Sequence, residues 1–173
     1  TTVFPEMDFS RPGTVDPREI IDPIQKHKVT HMFGSPALLD RVGRYGKSHG
    51  TELPTIKRVL SAGAPVSSRV LERFSHLLGP EADIHTPYGA TEALPVCSIS
   101  AREVLEMGGT AEGRGVCVGP PISGVELAAI EITDDPISSW SEDLQVATGN
   151  IGELVVWGPN VSRGYWGRPE ADH

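Results

Sequence analysis

The first half of the chain alternates helical and strand patterns with short connections between them. Asp16 followed by Pro17 marks a helix start, and Ser35-Pro36 repeats this pairing of a capping residue with a proline. A third helix is expected over residues 70–78. Short apolar runs predict strands at residues 29–33, 56–62 and 82–86. This alternation favours an α/β fold in which a parallel sheet is flanked by helices and joined by right-handed crossovers.

The predicted strands end in three segments that carry polar or glycine-rich sequence. These segments are Gly34-Ser35-Pro36, Gly63-Ala64-Pro65 and the run from Tyr88 to Glu92. Ligands of parallel sheets bind beyond the carboxyl ends of the strands. Because those ends lie at one edge of the sheet, the three segments are candidates for a single site.

The run from Tyr88 to Glu92 contains the side chains that a nucleotide site needs. Tyr88 offers an aromatic face for a base, Thr91 a hydroxyl donor for a phosphate oxygen, and Glu92 an anionic oxygen for Mg²⁺. Gly89 lets a ligand approach the backbone. An ordinary turn followed by a helix start has the same composition, so the run alone leaves both interpretations open.

The character of the sequence changes near residue 100. Ser100-Ala101-Arg102-Glu103 is a capping box for a short helix, and a Gly/Pro-rich passage follows it. Strand patterns return at residues 125–132 and 152–157. We predict a subdomain boundary at about 108–115. The two predicted subdomains are an α/β unit at residues 1–110 and a β-rich unit, part of an antiparallel barrel, at residues 111–173.

Composition excludes several classes of partner. The net charge is −8, with 38% hydrophobic and 22% charged residues, and no Lys/Arg-rich stripe predicts a nucleic-acid surface. No apolar run approaches the roughly 20 residues that span a bilayer. Cys97 and Cys117 are too few for a disulfide framework, and we interpret them as reduced thiols of a cytoplasmic protein.

Two glycine-rich motifs are rejected because their spacing is wrong. The glycine before Gly46-Lys47-Ser48 is Gly43, which is two residues too close for a P-loop. Residues 113–119 resemble a dinucleotide fingerprint, but the last gap is one residue too long and a strand pattern follows. No Gly-x-Ser-x-Gly elbow is present, so Ser35 and Ser61 are not expected to be nucleophiles.

Three motifs occur in order along the chain, and together they carry a family resemblance. They are Gly63-Ala64-Pro65, Tyr88-Gly89-Ala90-Thr91-Glu92 and the run from Gly152 to Trp166, which includes Gly152-Glu153-Leu154 and Arg163-Gly164-Tyr165. With them the chain resembles the adenylate-forming superfamily, which comprises acyl-CoA synthetases, fatty-acyl-AMP ligases and nonribosomal adenylation domains. The resemblance covers only the later part of that family's large N-terminal domain, so we expect the chain to be part of a longer protein.

The resemblance implies a site for ATP and Mg²⁺. The segment Gly63-Ala64-Pro65 is similar to the loop whose backbone lies along the adenine, and Tyr88 is similar to the residue that stacks on it. Thr91 would contact phosphate and Glu92 would hold Mg²⁺, so these two are the candidate catalytic residues. The implied nucleotide-binding set is Gly63, Ala64, Pro65, Tyr88, Gly89 and Thr91.

The resemblance also implies where the acyl substrate binds. Gly89 and Ala90 would line the carboxylate end of the acyl group, and Gly34 and Ser35 resemble the strand exit near the acyl pocket. The segment from Gly152 to Trp166 resembles a structural part of the family, and we expect packing and turn roles for it.

Within the superfamily, residues 84–96 and 113–121 are most similar to long-chain fatty-acid-CoA ligases and to olefin-pathway β-lactone synthetases. The expected function is activation of a fatty acid as an acyl-adenylate and transfer of the acyl group to coenzyme A. One alternative is β-lactone formation from β-hydroxy fatty acids at the same adenylation site. Another is a non-catalytic nucleotide- or acyl-binding homologue.

The family's phosphate loop, ribose-binding Asp and C-terminal-domain Lys have no counterpart in these residues. Residues 1–173 by themselves are therefore expected to be inactive. A further hypothesis is that they form a stable core whose exposed apolar surface associates into dimers, because large apolar patches favour association.

Overall fold

A computed structural model describes residues 1–108 and 115–171 of the chain. The helices are α1 (Arg18–His27), α2 (Pro36–His49), α3 (Ser68–Ser75) and α4 (Ala101–Glu106). The strands are β1 (His31–Phe33), β2 (Arg58–Leu60), β3 (Asp83–Ala90), β4 (Ala93–Ser100), β5 (Glu126–Ile130) and β6 (Glu153–Trp157). Single 3₁₀ turns occur at Pro12–Thr14, Glu142–Leu144 and Pro169–Ala171. No helix within the described ranges is long and apolar enough to cross a membrane.

The chain divides into two compact units. The first comprises Thr1–Tyr88 and Ser98–Gly119, and the second comprises Gly89–Cys97 and Pro120–His173. Most of the subdomain boundary predicted at 108–115 lies outside the described residues, as do Gly113 and Arg114 of the rejected dinucleotide motif. The division into residues 1–110 and 111–173 stays a prediction.

The first unit is built on parallel strands, as the alternating pattern predicts. Strand β2 lies between β1 and β3 and pairs in parallel with both. The register aligns Met32 with Val59 and Val59 with Ile84, so these three apolar side chains form one row across the sheet. Val59 and Ile84 are fully buried, and this row belongs to the same hydrophobic core as the helices. The predicted α/β fold class is confirmed.

The helices begin where local capping and proline geometry allow. Helix α2 begins at Pro36, and the Ser35 hydroxyl accepts a hydrogen bond from the Leu38 backbone N–H at 3.3 Å. Helix α1 begins at Arg18, and Pro17 already has helical angles (φ −54°, ψ −26°). The Asp16 carboxylate accepts a hydrogen bond from the Arg18 backbone N–H at 3.0 Å. Asp16 therefore bonds the first turn of the helix, but the cap position expected for it is taken by Pro17.

Helix α3 is shorter than its apolar pattern predicts. It ends at Ser75, whereas the pattern of Leu77 and Leu78 extends it to residue 78. The Leu77 and Leu78 backbone N–H groups bond three residues back, to Phe74 and Ser75, which tightens the chain into a turn. Leu77 is nevertheless buried, because the turn still directs it into the core.

Strand β4 is absent from the sequence-based prediction. Only Thr91 and Glu92 separate it from β3, and a connection this short requires an antiparallel hairpin. Its buried residues include Val96 and Ile99, but Pro95 interrupts the strand pattern. Strand β3 is also longer than predicted, because it continues through Tyr88 to Ala90.

The second unit contains the antiparallel pair expected in the later part of the chain. Strands β5 and β6 pair from Glu126 opposite Trp157 to Ile130 opposite Glu153. The Trp140 and Trp157 rings meet edge to face, with centroids 4.5 Å apart. In the same unit the Ile122 backbone N–H donates to the Val96 carbonyl at 3.0 Å, which joins the start of this segment to β4.

Two glycines of helix α2 allow a matched test of core packing. A Cβ atom at Gly46 would lie 2.4 Å from Leu77 Cδ2, whereas one at Gly43 would lie 3.4 Å from its nearest neighbour, Arg73 Cγ. Both alanine variants gain the same helix propensity, about 1 kcal/mol. We expect Gly46→Ala to be less stable than Gly43→Ala by about 1–3 kcal/mol, the usual cost of overpacking, in urea unfolding followed by circular dichroism. Equal free energies would contradict this packing.

The capping box of helix α4 allows a pH test. The Ser100 hydroxyl and backbone N–H both donate to the Glu103 carboxylate, at 2.6 and 3.0 Å, and these bonds lower the pKa of Glu103. Its stabilising effect is therefore present at neutral pH and is lost as the pH falls through the lowered pKa. Glu103→Gln should lower the urea midpoint near pH 7, and its difference from the unchanged chain should shrink as the pH is lowered. The control is Glu106→Gln, which removes an exposed glutamate charge from the same helix outside the capping box.

Candidate functional site

The first unit brings three of the predicted segments to one edge of the sheet. Gly34 follows β1, the Gly63 loop follows β2, and Tyr88 lies near the end of β3. The register places the last residues of β1 and β2, Phe33 and Leu60, opposite each other, so the strands end at the same level. The Gly34 backbone N–H donates to the Leu60 carbonyl at 3.0 Å, which extends this alignment to the strand exits.

Gly34 and Ser35 have structural roles that the sequence does not reveal. Gly34 is buried, and a Cβ atom there would lie 2.8 Å from Leu39 Cδ1. The start of helix α2 therefore packs directly against this residue. Ser35 caps the same helix. These contacts explain both residues without a ligand, and their assignment to the acyl pocket stays a prediction.

The Gly63-Ala64-Pro65 loop presents open backbone at the strand exit. Gly63 has a positive φ of 91°, and apart from Gly63 and its two chain neighbours no described residue has an atom within 4 Å of the position that a Cβ atom would take. All three residues are exposed. A planar ligand can therefore approach the loop closely, which is the geometry expected of an adenine-binding segment.

Tyr88 is a polar aromatic residue at this edge, where Phe33 also ends its strand. It lies in β3, and 41% of its surface is exposed. Because β3 continues past Tyr88, the ring is held by strand geometry instead of a loose loop. An exposed ring on a rigid strand can stack against a nucleotide base.

Gly89 has a packing role in addition to its predicted ligand role. A Cβ atom there would lie 2.4 Å from the Ala93 carbonyl oxygen in the facing strand. The hairpin therefore closes tightly because residue 89 has no side chain. Ala90 follows and is exposed, so it is available to a substrate.

Thr91 and Glu92 form the turn between β3 and β4, and both are exposed. The Glu92 carbonyl accepts a hydrogen bond from the Ser162 backbone N–H at 2.6 Å. The Glu92 carboxylate accepts one from the Tyr165 hydroxyl, with Oε1 and Oη 2.5 Å apart. This hydroxyl, together with the backbone N–H of Glu92 itself, lowers the pKa of Glu92, so the carboxylate is ionised at neutral pH.

Tyr165 makes a contact with Glu92 that sequence reasoning missed. The Arg163-Gly164-Tyr165 segment was expected to serve only packing and turns, yet its tyrosine bonds the predicted Mg²⁺ ligand. The two residues are far apart in the sequence and no periodicity connects them. The available signal was a polar aromatic residue in a motif of the resemblance.

The donor set at Glu92 fits a cation that is shared with a nucleotide. Within residues 1–108 and 115–171, no group of three or more His, Cys, Asp or Glu side chains could hold a metal ion. Mg²⁺ usually keeps several waters and binds one or two carboxylates together with substrate phosphates. A single exposed, ionised carboxylate is what such a site requires from the protein.

A cleft of about 600 Å³ lies elsewhere in the first unit. It is lined by one side of helix α1, by Lys28 and Tyr45 and by residues 50–55, and it includes none of the predicted site residues. Because residues 50–55 precede β2, this cleft lies toward the opposite edge of the sheet.

Comparison with known proteins identifies the family of the chain. Residues 6–166 match the AMP-binding enzyme family. The olefin beta-lactone synthetase of Stenotrophomonas maltophilia (strain K279a) is 43% identical over 172 residues, which are 99% of this chain and 30% of that protein. The feruloyl-CoA synthase of an Amycolatopsis species is 30% identical over 157 residues, which are 90% of this chain and 28% of that protein.

A solved structure shows the same fold. The long-chain-fatty-acid-CoA ligase from Archaeoglobus fulgidus superimposes with a TM-score of 0.68 at 21% sequence identity, covering 91% of this chain and 30% of that one. The chain thus spans about 30% of the length of the relatives it matches. Because the family match extends over residues 6–166, the chain belongs to the AMP-binding enzyme family, within the adenylate-forming superfamily that its motifs resemble.

Proposed function

We propose that the complete protein activates a carboxylic acid as an acyl-adenylate, using ATP and Mg²⁺. The observation that carries this proposal is Glu92, an exposed and ionised carboxylate in the turn directly after the strand that carries Tyr88. Tyr88 offers a ring for the base of a nucleotide, and Glu92 offers a ligand for the cation that accompanies its phosphates. Membership of the AMP-binding enzyme family supports the same interpretation.

The proposed reaction needs positioning more than a protein nucleophile. A carboxylate oxygen of the substrate attacks the α-phosphorus of ATP, the bond to the bridging oxygen breaks, and pyrophosphate leaves. Attacking group and phosphate are both anionic, so the barrier falls when their charges are offset and the atoms are aligned. This chemistry explains why no activated Ser or Cys is needed at the site.

Each residue of the site has a separate part in this proposal. The Gly63-Ala64-Pro65 backbone and the Tyr88 ring orient the adenine, and the Thr91 hydroxyl donates to a phosphate oxygen. Glu92 holds Mg²⁺, which when bound offsets the negative charge of the phosphates. Gly89 and Ala90 leave room for the substrate carboxylate beside the hairpin.

The acyl acceptor distinguishes two candidate functions. In the first, coenzyme A attacks the adenylate through its thiol and AMP leaves, with a long-chain fatty acid as substrate. The CoA synthase among the relatives supports this reaction. In the second, the β-hydroxyl of a β-hydroxy fatty acid attacks its own activated carbonyl to give a β-lactone and AMP. The 43% identity to an olefin beta-lactone synthetase favours this second candidate as a specific alternative.

Product analysis of the complete parent protein tests the proposal. The protein is given ATP, Mg²⁺ and either a long-chain fatty acid or a β-hydroxy fatty acid, with and without coenzyme A, and the products are identified by mass spectrometry. Acyl-CoA formed only with coenzyme A supports the ligase. A lactone formed without coenzyme A supports the synthetase. Absence of AMP formation with both acids would overturn adenylation and favour a nucleotide- or acyl-binding homologue.

Substitution of Tyr88 tests the stacking role. Tyr88→Ala in the complete protein should weaken ATP binding by about 10-fold to 100-fold, because base stacking on an aromatic side chain contributes about 1–3 kcal/mol. Tyr88→Phe retains the ring and should bind ATP almost normally. Calorimetric titration with ATP gives both affinities. Equal losses in the two variants would assign the effect to the hydroxyl instead of the ring.

Substitution of Glu92 tests the catalytic role. Glu92→Gln keeps an acceptor for Tyr165 but removes the charge, so adenylate formation should fall by about 100-fold or more while the melting temperature changes little. Glu106→Gln changes an exposed glutamate outside the site and is the matched control. Pyrophosphate release is the measurement. Normal activity in Glu92→Gln would make Glu92 an ordinary surface carboxylate.

A further inference from the structure

The hydrogen bond from Tyr165 to Glu92 joins two parts of the second unit that are remote in sequence. The Tyr165 hydroxyl is the donor and Glu92 Oε1 is the acceptor. Phenylalanine would fill the same space as tyrosine without this bond. The packing of the ring therefore does not account for the hydroxyl, whose contact is the bond to Glu92.

The segment that carries Tyr165 is fastened to the hairpin at several points. The Ser162 backbone N–H donates to the Glu92 carbonyl at 2.6 Å, and Val161 forms an antiparallel bridge with Ala93. Asn160 Nδ2 donates to the Pro95 carbonyl at 2.5 Å. These contacts hold residues 160–162 against the hairpin, and they place Tyr165, three residues further along the chain, close to Glu92.

An exposed glutamate in a turn has several rotamers of similar energy, and a bond to one oxygen restricts them. A carboxylate has about four lone-pair sites, so a donor at Oε1 leaves acceptor capacity for a cation. Outer donors of this kind orient carboxylate ligands of metals, and their removal weakens metal binding.

We propose that Tyr165 is a positioning residue whose hydroxyl holds the Glu92 carboxylate ready for the divalent cation that accompanies the nucleotide. This inference rests on the proposed function, because it assumes that Glu92 is the cation ligand. In the opposite arrangement the hydroxyl competes with the cation for the carboxylate, and Tyr165→Phe would then bind the cation more tightly. Measuring cation affinity in this variant separates the two arrangements.

Cation binding without turnover is the primary test. The complete parent protein is titrated with Mn²⁺ in the presence of α,β-methylene-ATP, which cannot form an adenylate, and bound Mn²⁺ is measured by electron paramagnetic resonance. We expect Tyr165→Phe to weaken Mn²⁺ binding on the order of tenfold, the usual effect of removing an outer partner of a ligand. Trp166→Phe is the matched control, because Trp166 is the adjacent aromatic residue and is fully exposed.

Two further measurements separate positioning from loss of structure. In turnover assays, Tyr165→Phe should raise the half-saturating Mg²⁺ concentration by a similar factor and leave kcat at saturating Mg²⁺ nearly unchanged. Glu92→Asp withdraws the carboxylate by one methylene from the Tyr165 hydroxyl. Adding Tyr165→Phe to Glu92→Asp should therefore cause little further loss of Mn²⁺ affinity, because the double-mutant cycle is non-additive when the two groups act together.

The outcomes distinguish this inference from the proposed function. Unchanged or tighter Mn²⁺ binding in Tyr165→Phe, with weakened binding in Glu92→Gln, overturns the positioning role and leaves Glu92 as a ligand. Normal Mn²⁺ binding in Glu92→Gln overturns the positioning role of Tyr165 and the assignment of Glu92 as the cation ligand, whereas AMP formation by the unchanged protein decides whether it adenylates an acid. Fully additive losses in the double-mutant cycle also overturn the positioning role, even if the single variants are less stable.

Discussion

The row of apolar side chains across the parallel strands, buried at Val59 and Ile84 and half-buried at Met32, is the interaction on which the first unit depends. Met32, Val59 and Ile84 are aligned by the pairing of β1 with β2 and of β2 with β3, and they share one core with the helices. A shift of one residue would turn each of these side chains to the other face of the sheet. Because burial fixes the register, it also fixes the level at which the strands end, and thereby brings Gly34, the Gly63 loop and Tyr88 to one edge.

The hairpin after that edge combines structural and chemical requirements. Gly89 allows the two strands to approach closely because it has no side chain. Thr91 and Glu92 form the turn between these strands, and both are exposed. In the second unit, the segment ending at Tyr165 is bonded to the same hairpin and reaches the Glu92 carboxylate. A residue expected to serve only packing thus contacts the group proposed to bind the cation.

The sequence predicted the elements whose signals are local. The capping box at Ser100 and Glu103 is present with both of its hydrogen bonds, and the alternating helix and strand patterns produced the parallel sheet. The predictions failed where distant contacts decide the outcome. Strand β4 was missed because Pro95 weakens its pattern, whereas in the fold its backbone finds partners in β3 and in Ile122. Helix α3 was predicted too long, because its apolar spacing continues into a buried turn.

The sequence by itself determined the family, the fold class and the residue types that a nucleotide site requires, because motif order, apolar periodicity and capping signals are all read within short segments. Only the tertiary structure decided how those residues are held. It showed that Gly34 is packed beneath a helix and that the Glu92 carboxylate is bonded by Tyr165. The physical reason is that hydrogen bonds and packing between residues far apart in the chain depend on where the backbone is placed, and no local pattern specifies that placement.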